Sequence, residues 1–136
     1  MKKIFIATTS FSTQSEEPLA LLKSNNFQVI SNNKGRKLKS GELIRELSGF
    51  DGVIAGTEEY TKIVLNELPQ LKVISRLGVG LDNIDLETAK KLRITISRTK
   101  TTPATAVVEL SLNLMLDIAR EITNHNNDVK NRVWNK

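Results

Sequence analysis

The segment KVISRLGVGLDNIDLETAKKL, residues 72–92, contains three kinds of local structure in a short distance. Residues 72–76 are rich in β-branched side chains and predict a strand. Gly78 and Gly80 then predict a turn, and apolar residues at helical spacing over residues 85–92 predict a helix, which Asn83 or Asp85 can cap. A strand, a turn and a helix in this order form the repeating unit of an α/β fold.

The same alternation extends over the first hundred residues. Further strands are predicted at residues 3–8, 27–31, 52–56 and 94–97, and further helices at residues 16–24, 41–47 and 61–68. Strands such as Val53-Ile54-Ala55 are apolar on consecutive positions, which is typical of a sheet covered by helices on both faces. The sequence therefore predicts a doubly wound parallel sheet of five strands, with an α/β fold.

The last segment differs from the rest of the chain. After Thr102-Pro103, apolar residues recur at helical spacing and predict one long helix over residues 103–134, roughly 45 Å if unbroken, with a bend expected at the polar residues 124–127. Its apolar side predicts a neighbour outside this chain, although a helix that folds back or dimerises would satisfy the same pattern.

Composition excludes several classes of site. The chain has no cysteine and a single histidine, His125, which excludes thiol nucleophiles, thiolate metal sites and a histidine-rich metal site. No apolar run approaches the roughly 20 residues of a membrane helix, and the apolar start is too short for a signal peptide. We therefore expect a cytoplasmic protein with no metal and no membrane partner.

The net charge of +5 favours an anionic partner. The densest basic stretch, residues 34–39, has no aromatic residue that could stack on a base, so we interpret it as a solvated loop and predict no nucleic-acid partner.

Ligands of open parallel sheets bind beyond the carboxyl ends of the strands. The turn at Gly78, Val79 and Gly80 lies there, and its backbone amides could form an anion site suited to a carboxylate, or the turn could simply join strand to helix. It is not a dinucleotide fingerprint, because Asn83 stands at the third glycine position. Asp82 would repel an anion, so we expect it to point away and cap the next helix.

The other strand ends offer weaker candidates. Thr57 follows the third strand and is either a substrate contact or a turn residue, and residues 8–13 form a polar loop rich in hydroxyl groups. Arg98 and Lys100 could meet an anionic substrate or simply face solvent. His125 lies far from any strand end. No nucleophile, base or metal set emerges, so no catalytic residue is predicted.

Residues 71–86 closely resemble the D-isomer-specific 2-hydroxyacid dehydrogenases, above all the phosphoglycerate dehydrogenase-like members. Residues 53–58 and 103–109 extend the resemblance, which covers essentially the whole chain. It implies a flavodoxin-like substrate-binding domain at residues 1–102 and an interdomain hinge helix from residue 103 to 136, which leads to a Rossmann domain that this chain lacks.

The resemblance also implies an activity and a set of contacts. The whole enzyme would be an NAD-dependent oxidoreductase that acts on the CH–OH group of a D-2-hydroxy acid, with 3-phosphoglycerate as one suggested substrate, and would form a homodimer. Backbone amides of Val79 and Gly80 would hold the carboxylate, and Val79 and Val107 would face the nicotinamide. The arginine, acid and histidine that catalyse the reaction have no counterparts here, which implies a fragment that is inactive alone. Arg98 and Lys100 depart from the family's usual asparagine and proline.

Two rival hypotheses come from other classes. A flavodoxin-like FMN carrier would share the strand order, but the glycine-free loop at residues 8–13 and the 4% aromatic content argue against it. A non-catalytic binding or dimerisation module would use the apolar face of residues 103–133.

Overall fold

A computed structural model describes residues 1–134 of the chain. Its strands are β1 (Lys3–Ile6), β2 (Gln28–Ser31), β3 (Gly52–Ala55), β4 (Val73–Arg76) and β5 (Thr95–Arg98). Its helices are α1 (Glu17–Ser24), α2 (Ser40–Leu47), α3 (Lys62–Asn66), α4 (Leu86–Lys91), α5 (Ala104–Arg120) and α6 (Ile122–Lys130).

The five strands form one parallel sheet in the order β2-β1-β3-β4-β5. This is the flavodoxin-like order, in which the chain winds first to one side of β1 and then to the other. The predicted fold class is confirmed, and the ends of the predicted strands differ from the observed ones by one or two residues. The register pairs Ala55 of β3 with Arg76 of β4, and Arg76 with Arg98 of β5. The loops after β3, β4 and β5 therefore leave from the same edge of the sheet.

The core lies between the sheet and the helices of the first hundred residues. Its largest fully buried side chains are Tyr60, Phe5, Leu38, Leu43, Leu47, Leu65, Leu68, Ile74, Val53 and Val64. Phe5 and Phe50 contact each other edge to face, with ring centroids 5.4 Å apart. Each buried aliphatic side chain contributes about 1.5–3 kcal/mol to folding. This packing holds the strand ends, and therefore the loops that follow them, in fixed positions.

The chain divides into two compact units, Met1–Thr101 and Thr102–Lys136. The described part of the second unit consists of α5 and α6, so the predicted C-terminal helix is present but interrupted, and the last two positions of the predicted hinge helix, 135 and 136, lie outside the described residues. The break falls at Glu121, which adopts a left-handed φ of 48°, three residues before the polar cluster where a bend was expected. Asp117 accounts for it, because its carboxylate accepts hydrogen bonds from the backbone N–H and the hydroxyl of Thr123, both 2.8 Å long.

Within residues 1–134 no helix has the length and apolar character needed to cross a membrane. The same residues contain no group of three or more His, Cys, Asp or Glu side chains arranged to hold a metal ion.

Candidate functional site

The glycine turn lies between the end of β4 and the start of α4. Gly78 has a φ of +149°, a backbone conformation that side chains other than glycine rarely adopt. Its N–H donates to the carbonyl of Arg76 at 3.0 Å and to the hydroxyl of Thr99 at 3.1 Å. Its carbonyl accepts from the N–H of Thr99, also at 3.1 Å. Gly78 therefore fixes the turn against the end of β5, and its own amide is used within the fold.

The next two residues present free donors. The N–H groups of Val79 and Gly80 have no hydrogen-bond partner anywhere in residues 1–134. The carbonyl of Val79 accepts a 3.0 Å bond from Arg98 Nη1, which holds this peptide from the side of β5. Two successive amides that are fixed and unpaired form a concave site for an anion. Of the predicted substrate contacts, Val79 and Gly80 thus have the chemistry to bind a carboxylate directly.

Asp82 does not cap α4, and that expectation was wrong. The cap is Asp85, whose Oδ1 accepts a 2.9 Å bond from the N–H of Thr88, and this bond lowers the pKa of Asp85. Asp82 instead lies beside Gly80, where a Cβ would come within 3.1 Å of its Oδ2. An anion on the turn would meet this negative charge, although Asp82 is exposed and its field is screened by water.

The loop after β3 lies against the glycine turn. The side-chain amide of Asn83 donates to the carbonyls of Gly56 at 3.2 Å and Glu58 at 2.6 Å. The backbones also join, since the N–H of Tyr60 donates to the Asn83 carbonyl and the N–H of Asp85 donates to the Tyr60 carbonyl. Asn83, at the third fingerprint position, therefore ties two loops together and does not cradle a phosphate.

A buried polar pair lies beneath this loop. Glu58 is only 2% exposed, and its Oε2 accepts a 2.8 Å bond from the N–H of Gly56. The hydroxyl of Tyr60 is buried without a hydrogen-bond partner in the described part of the chain. Burial, followed by the charge of Glu58, raises the pKa of Tyr60 well above its ordinary value, so its phenol stays neutral.

A polar pocket of about 330 Å³ opens beside the turn, and Thr57 and Gly78 both line it. Arg76 packs its guanidinium against Gly78 so closely that a Cβ there would lie 2.9 Å from Nη2. Hydroxyl groups from the loop after β1 and the ammonium-bearing side chain of Lys37 complete the wall. Sequence reasoning missed Arg76 and Lys37, because no local pattern signals which side chains from separate loops converge.

The other predicted residues belong to the second unit. Val107 lies in the first turn of α5, is exposed, and donates its N–H to the carbonyl of Pro103 at 3.0 Å. His125 lies on α6 in a groove of about 640 Å³ that α5 and α6 form between them. This groove is larger than the pocket beside the turn but is mainly apolar. A smaller pocket of about 140 Å³ is lined by His125 together with Asp128.

The fold and the turn define an α/β domain with two unpartnered backbone amides, those of Val79 and Gly80, at the carboxyl edge of its sheet. The comparisons identify the family: residues 6–131 match the model of the D-isomer specific 2-hydroxyacid dehydrogenase catalytic domain. The chain therefore belongs to the D-isomer specific 2-hydroxyacid dehydrogenases, as the sequence resemblance predicted.

Individual relatives agree with this assignment. D-3-phosphoglycerate dehydrogenase of Sus scrofa is 30% identical over 117 residues, which cover 85% of this chain and 21% of the relative. A solved structure from Polaromonas sp. JS6 66 has a TM-score of 0.83 at 24% identity and covers all of this chain and 42% of that one. The structure of NAD⁺-bound 3-phosphoglycerate dehydrogenase of Entamoeba histolytica has a TM-score of 0.74 at 24% identity, and the match covers 85% of this chain and 38% of that one. The chain thus spans about a fifth of the length of the curated relative.

Proposed function

We propose that this chain supplies the substrate-carboxylate site of an NAD-dependent oxidoreductase that acts on the CH–OH group of a D-2-hydroxy acid, or on the corresponding 2-keto acid in reverse. The observation that carries the proposal is the pair of unpartnered backbone amides at Val79 and Gly80. The family and the pig relative make 3-phosphoglycerate one candidate substrate.

The two amides can bind one carboxylate by donating to its oxygens. Arg98 holds the Val79 carbonyl and Thr99 holds Gly78, so the donors are fixed before the ligand arrives. Donors that are already ordered lose little conformational freedom on binding, which favours affinity and a defined orientation. The acid would then present its 2-carbon at the edge of the sheet.

The residues of this chain do not fit a whole dinucleotide. Asn83 occupies the place of the third fingerprint glycine, and the first turn of α4 is already capped by Asp85. We therefore propose that NAD is held mainly by residues outside this chain, with Val79 and Val107 as its nicotinamide-side contacts. Bound NAD⁺ would accept the hydride when the hydroxy acid is oxidised, and bound NADH would supply it when the keto acid is reduced.

Catalysis also needs a group that exchanges a proton with the substrate hydroxyl. The single histidine of the chain, His125, lies on α6 in an apolar groove. We propose that the chain is inactive alone and that the proton is transferred by residues elsewhere in the enzyme. NADH oxidation by the isolated chain, measured against a panel of 2-keto acids, is expected to remain at the buffer rate. Turnover above that rate would contradict this part of the proposal.

The substrate class can be tested without turnover. Ligand-observed NMR with D-lactate and D-lactamide compares two molecules that differ in the carboxylate. D-lactate is expected to bind and D-lactamide to bind much more weakly, because charge-assisted bonds to backbone N–H are roughly twice as strong as neutral ones. Equal binding of the acid and the amide would contradict the proposal.

We further propose that the whole enzyme is a cytoplasmic homodimer. The large apolar side chains along α5 support association, since no residue of α5 is buried within the described structure. Light scattering of the chain before and after removal of residues 124–136 measures whether the chain associates and whether the part of the second unit after residue 123 contributes to that association. An unchanged monomeric mass in both proteins would contradict it for this chain.

A further inference from the structure

We propose that the amino edge of the sheet, where the strands begin, binds an extended acidic segment of a protein partner. The surface, called the basic edge below, consists of six exposed cations at or beside the starts of β1, β4 and β5: Lys2, Lys3, Lys72, Lys90, Lys91 and Arg93. The strands are parallel, so this edge is opposite the one that carries the glycine turn. The two sites can therefore be tested separately.

The sheet brings these strand starts into one row. The N–H of Asp51 donates to the carbonyl of Lys3, and the N–H of Lys72 donates to the carbonyl of Asp51. The N–H of Thr95 then donates to the carbonyl of Lys72, and Arg93 lies two residues before Thr95. Neighbouring strands lie about 4.8 Å apart, so the row from β1 through β3 and β4 to β5 spans roughly 14 Å.

The carboxylate of Asp51 lies within this row. Its Oδ2 accepts a 2.9 Å bond from the N–H of Lys3, and its Oδ1 lies 3.4 Å from Nζ of Lys72. The bond from the Lys3 amide, followed by the nearby charges of Lys72 and Lys2, lowers the pKa of Asp51. Asp51 therefore stays ionised and offsets one of the positive charges.

The other cations have little opposing charge. Lys91 contacts Glu87 at 3.9 Å, but both side chains are largely exposed, so this pair is weak. No ion pair within residues 1–134 involves Lys2, Lys90 or Arg93. The six cations and Asp51 carry a charge of +5, which equals the net charge of the chain, since the rest of the sequence has 14 basic and 14 acidic residues. The excess positive charge of the protein therefore lies at this edge.

The dimensions and chemistry of the basic edge fit an extended acidic peptide. A strand rises about 3.3 Å per residue, so four or five residues span the row, and acidic side chains at alternate positions lie about 7 Å apart on one side. Five of the six cations are lysines, whereas arginine is the usual choice for nucleic-acid recognition. Residues 1–3, 71–73 and 90–95 also contain no aromatic side chain that could stack on a base. A protein segment therefore matches this surface better than a nucleic acid does.

The test is fluorescence anisotropy of the intact chain with a labelled peptide of alternating glutamate and serine, amidated at its C-terminus. A peptide of alternating glutamine and serine has the same length without the charge, and a short oligouridine represents a nucleic acid. At an ionic strength of about 0.1 M we expect the glutamate peptide to bind about tenfold more tightly than either of the other probes.

Two matched double variants test the location of the charge. Lys2→Gln with Arg93→Gln removes two cations that make no ion pair, and should weaken binding of the glutamate peptide about fivefold. Lys62→Gln with Lys130→Gln removes two charges from the exposed start of α3 and end of α6, and should change the affinity less than about twofold.

A ¹⁵N-resolved NMR titration shows where the peptide binds, and we expect its largest shifts at residues 2–3, 71–73 and 90–95. Equal binding of the glutamate and glutamine peptides, or an equal loss in the two double variants, would overturn the inference. Tighter binding of oligouridine, or shifts at Val79 and Gly80 in place of the strand starts, would also overturn it. The proposed function is judged independently by the binding of D-lactate.

Discussion

Arg98 donates a 3.0 Å hydrogen bond from Nη1 to the carbonyl of Val79, so the end of β5 holds the peptide between Val79 and Gly80. Its long side chain crosses from one loop to the next and acts on the turn through the backbone. We therefore interpret Arg98 as a positioning residue of the anion site.

Substituting Arg98 by methionine should loosen the turn without emptying the space that the side chain occupies. A single hydrogen bond contributes roughly 0.5–1.5 kcal/mol, so we expect about three- to tenfold weaker binding of D-lactate. Calorimetry measures the change, and Arg45→Met on the exposed end of α2 controls for the lost charge. Equal affinities of wild type and Arg98→Met would show that this bond does not shape the site.

Substituting Gly78 by alanine should destabilise the first unit. The φ of +149° is unfavourable for alanine, and the new Cβ would displace the guanidinium of Arg76. Strain of this kind costs about 1–3 kcal/mol in the free energy of unfolding. Gly41→Ala on α2 is the control, since nothing lies within 4 Å of a Cβ there and alanine favours a helix. If urea unfolding gives the same free energy of unfolding for Gly78→Ala and Gly41→Ala, the assigned role of Gly78 is contradicted.

Asp82 should oppose the binding of an anion at Gly80. Removing its charge in Asp82→Asn is expected to strengthen binding of D-lactate about two- to fivefold at low salt, and less at high salt. Affinities measured at two ionic strengths test both parts of the expectation. The exposed Glu87→Gln on α4 provides the comparison. If Glu87→Gln increases the affinity for D-lactate by the same factor, the effect of Asp82 comes from the net charge of the protein and not from its position beside the turn.

The basic stretch at residues 34–39 is tied to α2 by Glu42. Glu42 accepts from Arg36 at 2.8 Å, from Lys34 at 3.3 Å and from the N–H of Lys39 at 3.0 Å. The Arg36 bond, followed by the Lys39 amide, holds the pKa of Glu42 well below its usual range. A carboxyl group whose pKa is lowered in the folded state stabilises the fold at pH values above its pKa in the unfolded chain, which is about 4.3 for glutamate. This stabilisation is lost as the pH falls below that value.

Glu42→Gln should therefore lower the free energy of unfolding at pH 7 and lower it less at pH 3. Urea unfolding at both pH values measures the difference from wild type. Glu67→Gln, at the exposed end of α3, serves as the matched carboxylate control. A difference between wild type and Glu42→Gln that stays constant from pH 7 to pH 3 would contradict the assigned ion pairs.

Much of this architecture could be predicted from local sequence. Strand β3 is a short apolar run after a turn, and a parallel sheet follows from its burial on both faces. The glycine turn was also visible, because two glycines directly after a strand and before a helix are typical of a tight connection between them. These features depend on neighbouring residues alone.

Other features depend on contacts that a linear pattern does not specify. The convergence of Thr8, Lys37 and Arg76 on one pocket joins three loops that are distant in sequence. The break at Glu121 arises from Asp117 bonding to Thr123, a local choice that apolar spacing does not reveal. Asp82 and Asp85 are both of a residue type that caps helices, so the sequence did not decide between them. In the structure α4 begins after Asp85, which is therefore the cap.

The most direct measurement is a ¹⁵N-resolved NMR titration of the chain with D-glycerate, which follows every backbone amide separately. Binding of the carboxylate should shift the Val79 and Gly80 amides most strongly, because they donate to it, and should shift Gly78 less because its N–H is already bonded. Saturating shifts confined to α5 and α6, with Val79 and Gly80 unmoved, would contradict a carboxylate site at the glycine turn.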